Sequence, residues 1–376
     1  MDAPLANPAG TDGFEFIEYT APDTRALAAL FERMGFTAAA RHRSKDVILY
    51  RQGDVNFILN HEPESFAQSF ARVHGPSVCA FAIRVKDAAY AYRRALELGA
   101  KPHPADVGPM ELNIPAIRGI GGSAIYLVDR YGKNTIYDVD FIATDLSEAA
   151  GVEGKEVPEG NHGFPSGRLL VRDRGRETGQ RPGLTAIDHI THNVHEGRMD
   201  HWARFYERLF GFREIRYFDI HGLKTGLRSR ALQSPCGKIR IPINEPTDAG
   251  SQIEEYLDAY HGEGIQHIAL STGDIYASVE ALRERGVRFM HTPRTYYEAV
   301  DTRLPEHGED LERLEKSGIL IDGQAEKLLL QIFTETVIGP IFFEIIQRKG
   351  NDGFGEGNFQ ALFEAIEREQ MERGTI

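Results

Sequence analysis

The chain has little cysteine, no long apolar run and no basic tract. Of its 376 residues only Cys79 and Cys236 are cysteines, and their spacing is not that of metal ligands. This argues against a disulfide framework and fits a reducing, cytoplasmic setting. No stretch approaches the ~18 apolar residues of a membrane span. The opening residues, MDAPLANPAGTDG, lack the charged-then-apolar pattern of a secretory leader. A net charge of -13 without a basic cluster argues against nucleic acid or an anionic membrane as partner. It says nothing against a small anionic substrate, because one pocket can be locally positive. What is present is ordinary for a soluble globular protein: 41% hydrophobic and 26% charged residues, and length for two domains or one large one.

The two halves echo each other. FERMGF at 31–36 ends an amphipathic pattern carried by Leu27, Leu30, Phe31 and Met34, and YERLFGF at 206–212 ends a similar one carried by Trp202, Phe205, Tyr206 and Leu209. Each reads as a helix stopped at glycine. RRALELGAK at 93–101 and EALRERGVR at 280–288 form a second such pair. Strand-like runs precede each helix: FEFIEY (14–19), VCAFAIRV (78–85), IDHITHNV (187–194) and IQHIALS (265–271). Further strands follow, among them TIYDVDFI (135–142), KLLLQIF (327–333) and PIFFEII (340–346). The pattern is four copies of strand, helix, then several strands, a duplicated supersecondary unit. The Gly-, Pro- and charge-rich region 151–183 reads as a linker between an N-terminal domain, 1–150, and a C-terminal domain, 184–376.

Equivalent strands differ in one telling way. His189 in IDHIT matches Phe16 in FEFIE, His267 in IQHIA matches Ala80 in VCAFA, and Glu344 in FFEII matches roughly Asp138 in IYDVD. One half therefore offers two imidazoles and a carboxylate at matching interior positions, and the other cannot bind a metal there. Singly, each histidine reads as a hydrogen-bonded core residue and Glu344 as half of a buried ion pair. Together they form the set of a non-haem Fe(II) oxygenase: three ligands on one face leave adjacent positions for a chelating 2-oxo acid and O2. A carboxylate inside an apolar run is costly without a cationic partner. His192, an odd number of residues from His189, faces the other side of an extended strand, and His195 also falls outside the set. His291 and His307 lie in loop-like sequence and read as surface residues.

The C-terminal half closely resembles the 4-hydroxyphenylpyruvate dioxygenase family of the vicinal-oxygen-chelate superfamily. The motifs that carry the resemblance are IDHITHNV, RYFDI, IRIPINEP, SQIEEYL, GEGIQHIAL, LLLQIF, FFEIIQRKG and GFGEGNFQALFEAIE. The N-terminal half resembles the family's non-catalytic domain more loosely. The resemblance implies an α+β fold of two vicinal-oxygen-chelate domains. Each is expected to have two βαβββ modules forming an open barrel-like sheet, and a C-terminal lid helix to bear Phe359, Leu362, Phe363 and Ile366. It implies Fe(II) held by His189, His267 and Glu344. It implies a substrate pocket of Ser229, Asn244, Gln252, Gln331, Phe333, Phe343, Asn358, Phe359 and Phe363, with Phe333 and Phe359 stacking on the ring. Catalytic roles fall to Gln266, Gln331 and Asn244, although strand alternation would turn Gln266 away from His267.

The implied reaction converts 4-hydroxyphenylpyruvate and O2 to homogentisate and CO2, by oxidative decarboxylation, ring hydroxylation and side-chain migration, in tyrosine and phenylalanine catabolism. The family forms dimers or tetramers, which implies a homo-oligomer. The nearest rival is 4-hydroxymandelate synthase, which hydroxylates the benzylic carbon of the same substrate. An extradiol dioxygenase shares the ligand set but lacks the LLLQIF motif and the matched tail. A metal-free binding protein of the superfamily is at odds with the intact triad.

Overall fold

The computed structural model describes residues 6–104, 107–144, 181–221, 226–248 and 251–361. Two eight-stranded sheets dominate them. The first contains β1 (Thr11–Thr20), β2 (Thr37–His42), β3 (Val47–Gln52), β4 (Val55–Asn60), β5 (Ser77–Val85), β6 (Ala116–Arg118), β7 (Ala124–Val128) and β8 (Phe141–Ala143). The second contains β9 (Leu184–Asn193), β10 (Arg213–His221), β11 (Gly226–Gln233), β12 (Arg240–Pro246), β13 (Gly264–Thr272), β14 (Leu320–Gln324), β15 (Lys327–Phe333) and β16 (Phe342–Lys349). The strand orders are β6-β7-β5-β1-β4-β3-β2-β8 and β10-β11-β12-β9-β13-β16-β15-β14. Both are built alike. β1 and β5 pair antiparallel at the centre, each flanked by a parallel partner, β4 or β7; β9 and β13 do the same with β12 and β16. These are the repeated modules of the vicinal-oxygen-chelate fold. The repeat is imperfect in the first half, where β8 leaves its module and pairs with β2.

The helices form where the sequence stripes them. Arg25–Arg33 buries Leu27, Leu30 and Phe31. Met199–Phe210 buries Trp202, Tyr206 and Leu209 and stops at Gly211, whose φ of 73° is the left-handed conformation that glycine accepts without strain. Phe66–His74 and Gln252–Tyr260 occupy matching places after β4 and β12, and each is capped by a serine hydroxyl, Ser65 or Ser251.

The two halves share a core. Phe343 of β16 sits 5.9 Å from the Phe57 ring and 6.4 Å from Tyr19, both in the first half. One expected strand is different. Of TIYDVDFI, only Phe141 and Ile142 are extended, at the start of the strand Phe141–Ala143, and Tyr137–Asp140 is a helical turn. The Asp138 carboxylate accepts hydrogen bonds from the Thr135 amide and hydroxyl at 2.8 and 2.9 Å, and this local bonding competes with strand pairing. Asp138 is therefore not the counterpart of Glu344. Strand register supplies another: Ala269 pairs with Glu344 as Ala82 pairs with Tyr126. Of the segment read as a linker, only 181–183 lies within the described residues.

Candidate metal centre and its pocket

Three neighbouring strands, β9, β13 and β16, bring the expected donors together. Ala269 of β13 is in register with His189 on one side and Glu344 on the other, and its small side chain leaves room for both. His267 lies two residues away on the same strand. The His189 Nε2 is 3.3 Å from the His267 Nε2, and the Glu344 Oε2 is 3.2 and 3.4 Å from them. All three residues are buried.

The tautomers are set from behind. The His189 Nδ1 faces the Asp188 carboxylate at 2.9 Å and the His267 Nδ1 faces the Gln266 side-chain amide oxygen, Oε1, at 3.1 Å. With the ring protons donated there, both Nε2 lone pairs point at each other and at a carboxylate oxygen. Three lone-pair atoms converging in a dry site repel unless a cation joins them. Their spacing suits donors about 2.1 Å from one shared ion, and the second Glu344 oxygen has no hydrogen-bond partner. The residues therefore fit a metal ion. In the ion-free protein, burial pulls His189 down, but the Glu344 and Asp188 carboxylates outweigh it and its pKa is raised. Burial prevails at His267, which is lowered. Burial alone would raise Glu344, yet the two histidines hold it down to about 2.

Asp188 was not among the expected site residues. It is buried, and Arg348 grips it with Nε at 2.7 Å and Nη2 at 2.8 Å, while Arg240 lies 3.6 Å away. Burial would raise its carboxyl, but Arg348 and His189 carry it well below the carboxylate range. Arg348 also donates to the carbonyls of Asn351 at 3.0 Å and Gly353 at 2.7 Å, and it lies 5.8 Å from the Phe354 ring centre. Thr191, likewise unanticipated, reaches the His267 Nε2 at 2.9 Å through its hydroxyl. The signal for Asp188 was available: an acid beside a candidate ligand on an apolar strand.

The donors close one end of a cavity of about 240 Å³. Phe342 stacks on His267 with centroids 4.9 Å apart, and Phe354 meets His189 edge-on at 5.4 Å. Phe333 and Phe359 face each other at 6.1 Å with planes 31° apart. Ser229, Asn244, Gln252 and Gln266 supply polar wall. Gln266 faces the cavity against expectation, because a bulge between Ile265 and His267 breaks the alternation.

Other expected pocket residues lie elsewhere. Phe343 points to the opposite face of β16 and packs into the shared core, since Phe342 and Glu344 take the cavity side. The Asn358 side-chain amide oxygen, Oδ1, accepts from the Tyr296 hydroxyl at 2.6 Å, which ties the chain to the body of the domain. Gln331 is fully buried under the Gly355 turn with both amide atoms unpaired, outside the cavity lining. The lid helix begins at 356, its Gly357 amide bonded to the Asp322 carboxylate at 2.9 Å, and is described as far as 361. Phe363, Leu362 and Ile366 lie outside the described residues. His192 sits off the site, 2.7 Å from the Tyr206 hydroxyl, with burial pushing its pKa down to about 3. His291 does line the cavity. His291 is nevertheless exposed, as read from the sequence, whereas His307 is buried against Asp301 at 3.0 Å and is not a surface residue.

A curled sheet whose repeated strands converge three donors on one cavity defines a vicinal-oxygen-chelate protein, and sequence profiles agree. Residues 186–302 match the Glyoxalase/Bleomycin resistance protein/Dioxygenase superfamily, and residues 5–142 match "Hydroxyphenylpyruvate dioxygenase, HPPD, N-terminal". The chain is 56% identical to 4-hydroxyphenylpyruvate dioxygenase of Pseudomonas aeruginosa, over 98% of this chain and 97% of the relative. It is 58% identical to a protein called Hemolysin VllY of Vibrio vulnificus, over 98% of both. Among solved structures, a mutant 4-hydroxymandelate synthase from Streptomyces coelicolor superposes with a TM-score of 0.75 at 25% identity, covering 97% of this chain and all of that one. The chain belongs to the 4-hydroxyphenylpyruvate dioxygenase family and is an enzyme.

Proposed function

We propose that the protein is an Fe(II)-dependent dioxygenase that converts 4-hydroxyphenylpyruvate and O2 to homogentisate and CO2, a step of tyrosine catabolism, in the cytoplasm. The observation that carries this is the buried His189–His267–Glu344 set at the end of an aromatic cavity, in a chain 56% identical end to end to an enzyme of that name. Bound iron would supply chelation of the 2-oxo acid and activation of O2. A single carboxylate ligand leaves a divalent ion with net positive charge, which suits an anionic chelating group.

The chain's own residues bind, orient and exclude. Asp188 and Gln266 hold the two imidazoles so that Nε2 faces the ion. Phe333 and Phe359 would hold the substrate ring between them. Two ring contacts of 3.5–4.0 Å need about 7–8 Å between faces, so the present 6.1 Å widens when the ring enters. Ser229, Asn244 and Gln252 meet the phenol with neutral groups, which do not compete with Glu344 for the metal. Asn244 is itself held by Asn193 at 3.3 Å. The buried, unpaired amide of Gln331 is available to substrate if the Gly355 turn shifts. The aromatic wall keeps water from the reacting atoms. Homo-oligomerisation as a dimer or tetramer belongs to the same reading.

The test is product analysis after anaerobic Fe(II) loading, addition of 4-hydroxyphenylpyruvate and admission of O2. Homogentisate with equimolar CO2 supports the proposal. 4-Hydroxymandelate would transfer the chain to the activity named for its structural neighbour, and absence of turnover would refute the substrate.

A further inference from the structure

The first half has kept a cavity where the second has its active site. It encloses about 200 Å³, against about 240 Å³ around the donors. The register of the strands matches the walls one by one. Phe16 stands for His189, Tyr126 for Glu344, Glu18 for Thr191, and Asn60 for Asn244, and each of the eight lines its own cavity. In the first half, Phe16 and Tyr126 fill the metal end, with ring centroids 5.6 Å apart.

Glu18 makes the difference. Its carboxylate is buried and accepts from the Asn60 amide at 2.7 Å. Among the described residues no lysine, arginine or histidine forms an ion pair with it. Lys45, which also lines the cavity, is paired with Glu111 at 2.8 Å. The other cavity carboxylates are occupied as well: Glu62 accepts from the Asp46 amide at 2.8 Å and Asp140 from the Leu112 amide at 3.2 Å. Burial lowers the pKa of both cavity histidines, His42 and His103, which disfavours a positive charge on either. His103 is 6% exposed and its Nδ1 has no partner. Burial in turn raises the Glu18 carboxyl, outweighing the hydrogen bonds of Asn60 and Cys79 and the more distant charge of Lys45.

We propose that this cavity is a second, metal-independent binding site for a small organic cation, a primary ammonium on a single-ring apolar body. The ammonium would donate to Glu18, and Phe16, Phe66 and Tyr126 would enclose the body, with aromatic faces that favour a cation. The two cavities then select opposite charges, an anion beside the metal and a cation in the first half. The inference rests on the geometry of the first half and does not depend on the reaction proposed above.

Benzylamine, protonated at neutral pH, tests it by calorimetric titration into the full-length iron-free chain, with phenylacetate as the anionic control. One saturable site per chain for benzylamine is expected. Glu18→Gln should weaken it by about tenfold to a hundredfold, the worth of one charge-assisted hydrogen bond. A crystal soaked with benzylamine needs no variant, and should show the ammonium at Glu18. No saturable binding at about 1 mM, a weak-affinity threshold, would overturn the proposal. So would undiminished binding to Glu18→Gln, or a benzylamine site only at the donor cavity.

Discussion

Asp188→Asn is the most informative single change. It keeps the shape of the side chain and an acceptor for the His189 ring proton, but removes the charge that Arg348 and Arg240 share. The side chain of Asp188 is 4% exposed and that of Arg348 15%. Breaking a buried pair by removing one partner costs about 3–5 kcal/mol. The lower end applies here, because Arg348 keeps the Asn351 and Gly353 carbonyls. At roughly 2–4 °C per kcal/mol for a domain of this size, the metal-free protein should melt about 6–12 °C lower. The pH sign is definite. The carboxyl of Asp188 lies below its ordinary 3.8, so the difference between wild type and variant is full above that value and closes as pH falls through the folded pKa. Metal affinity should fall separately, by about 10–100-fold, because a weaker acceptor holds the imidazole. Melting by calorimetry and metal titration against a competing chelator read the two effects. Arg348→Met on top of Asp188→Asn should restore part of the stability but none of the metal affinity. Melting within about 1 °C of wild type, with unchanged metal affinity, would refute the assignment of Asp188 as the residue that positions His189.

Three other outcomes are expected. Phe343→Ala should cost about 3–5 kcal/mol of stability, read by denaturant unfolding, and leave the product unchanged, since the ring fills the shared core. Metal affinity should fall about tenfold per pH unit below the raised pKa of His189, with one proton released per ion bound. Glu344 stays ionised to about 2 and adds no such dependence above it, which proton release in differently buffered calorimetry can check. Gly355→Ala should loosen the start of the lid helix, because φ there is +76° and a Cβ would run into the Gln331 amide. Faster hydrogen exchange across 354–361 is the readout, and unchanged exchange would mean that the turn absorbs the added Cβ without strain.

The two histidines were legible because duplication supplied an internal control: they stand where the other half has Phe16 and Ala80, which cannot ligate, whereas Glu344 stood out only as a carboxylate inside an apolar run. The position of Phe343 is legible in the parity of its strand. If Glu344 faces the cavity on an extended strand, Phe342 faces it and Phe343 does not. Gln266 could not be placed that way, because the bulge that turns it inward comes from the pairing of β9 with β13 and leaves no mark in the local sequence. Asp138 failed for a different reason: its side chain bonds to the backbone three residues earlier and curls a strand-like pattern into a turn. The Asp188–Arg348 pair joins residues 160 positions apart, which no local pattern shows.

Turnover is expected to depend on a metal held by His189, His267 and Glu344. Metal analysis of anaerobically Fe(II)-loaded protein, set beside its O2 uptake with 4-hydroxyphenylpyruvate, tests it most directly. One iron per chain is predicted, with uptake proportional to iron content, and His267→Ala should lose both. Turnover that persists after chelation, or iron retained at full stoichiometry by His267→Ala, would contradict the account.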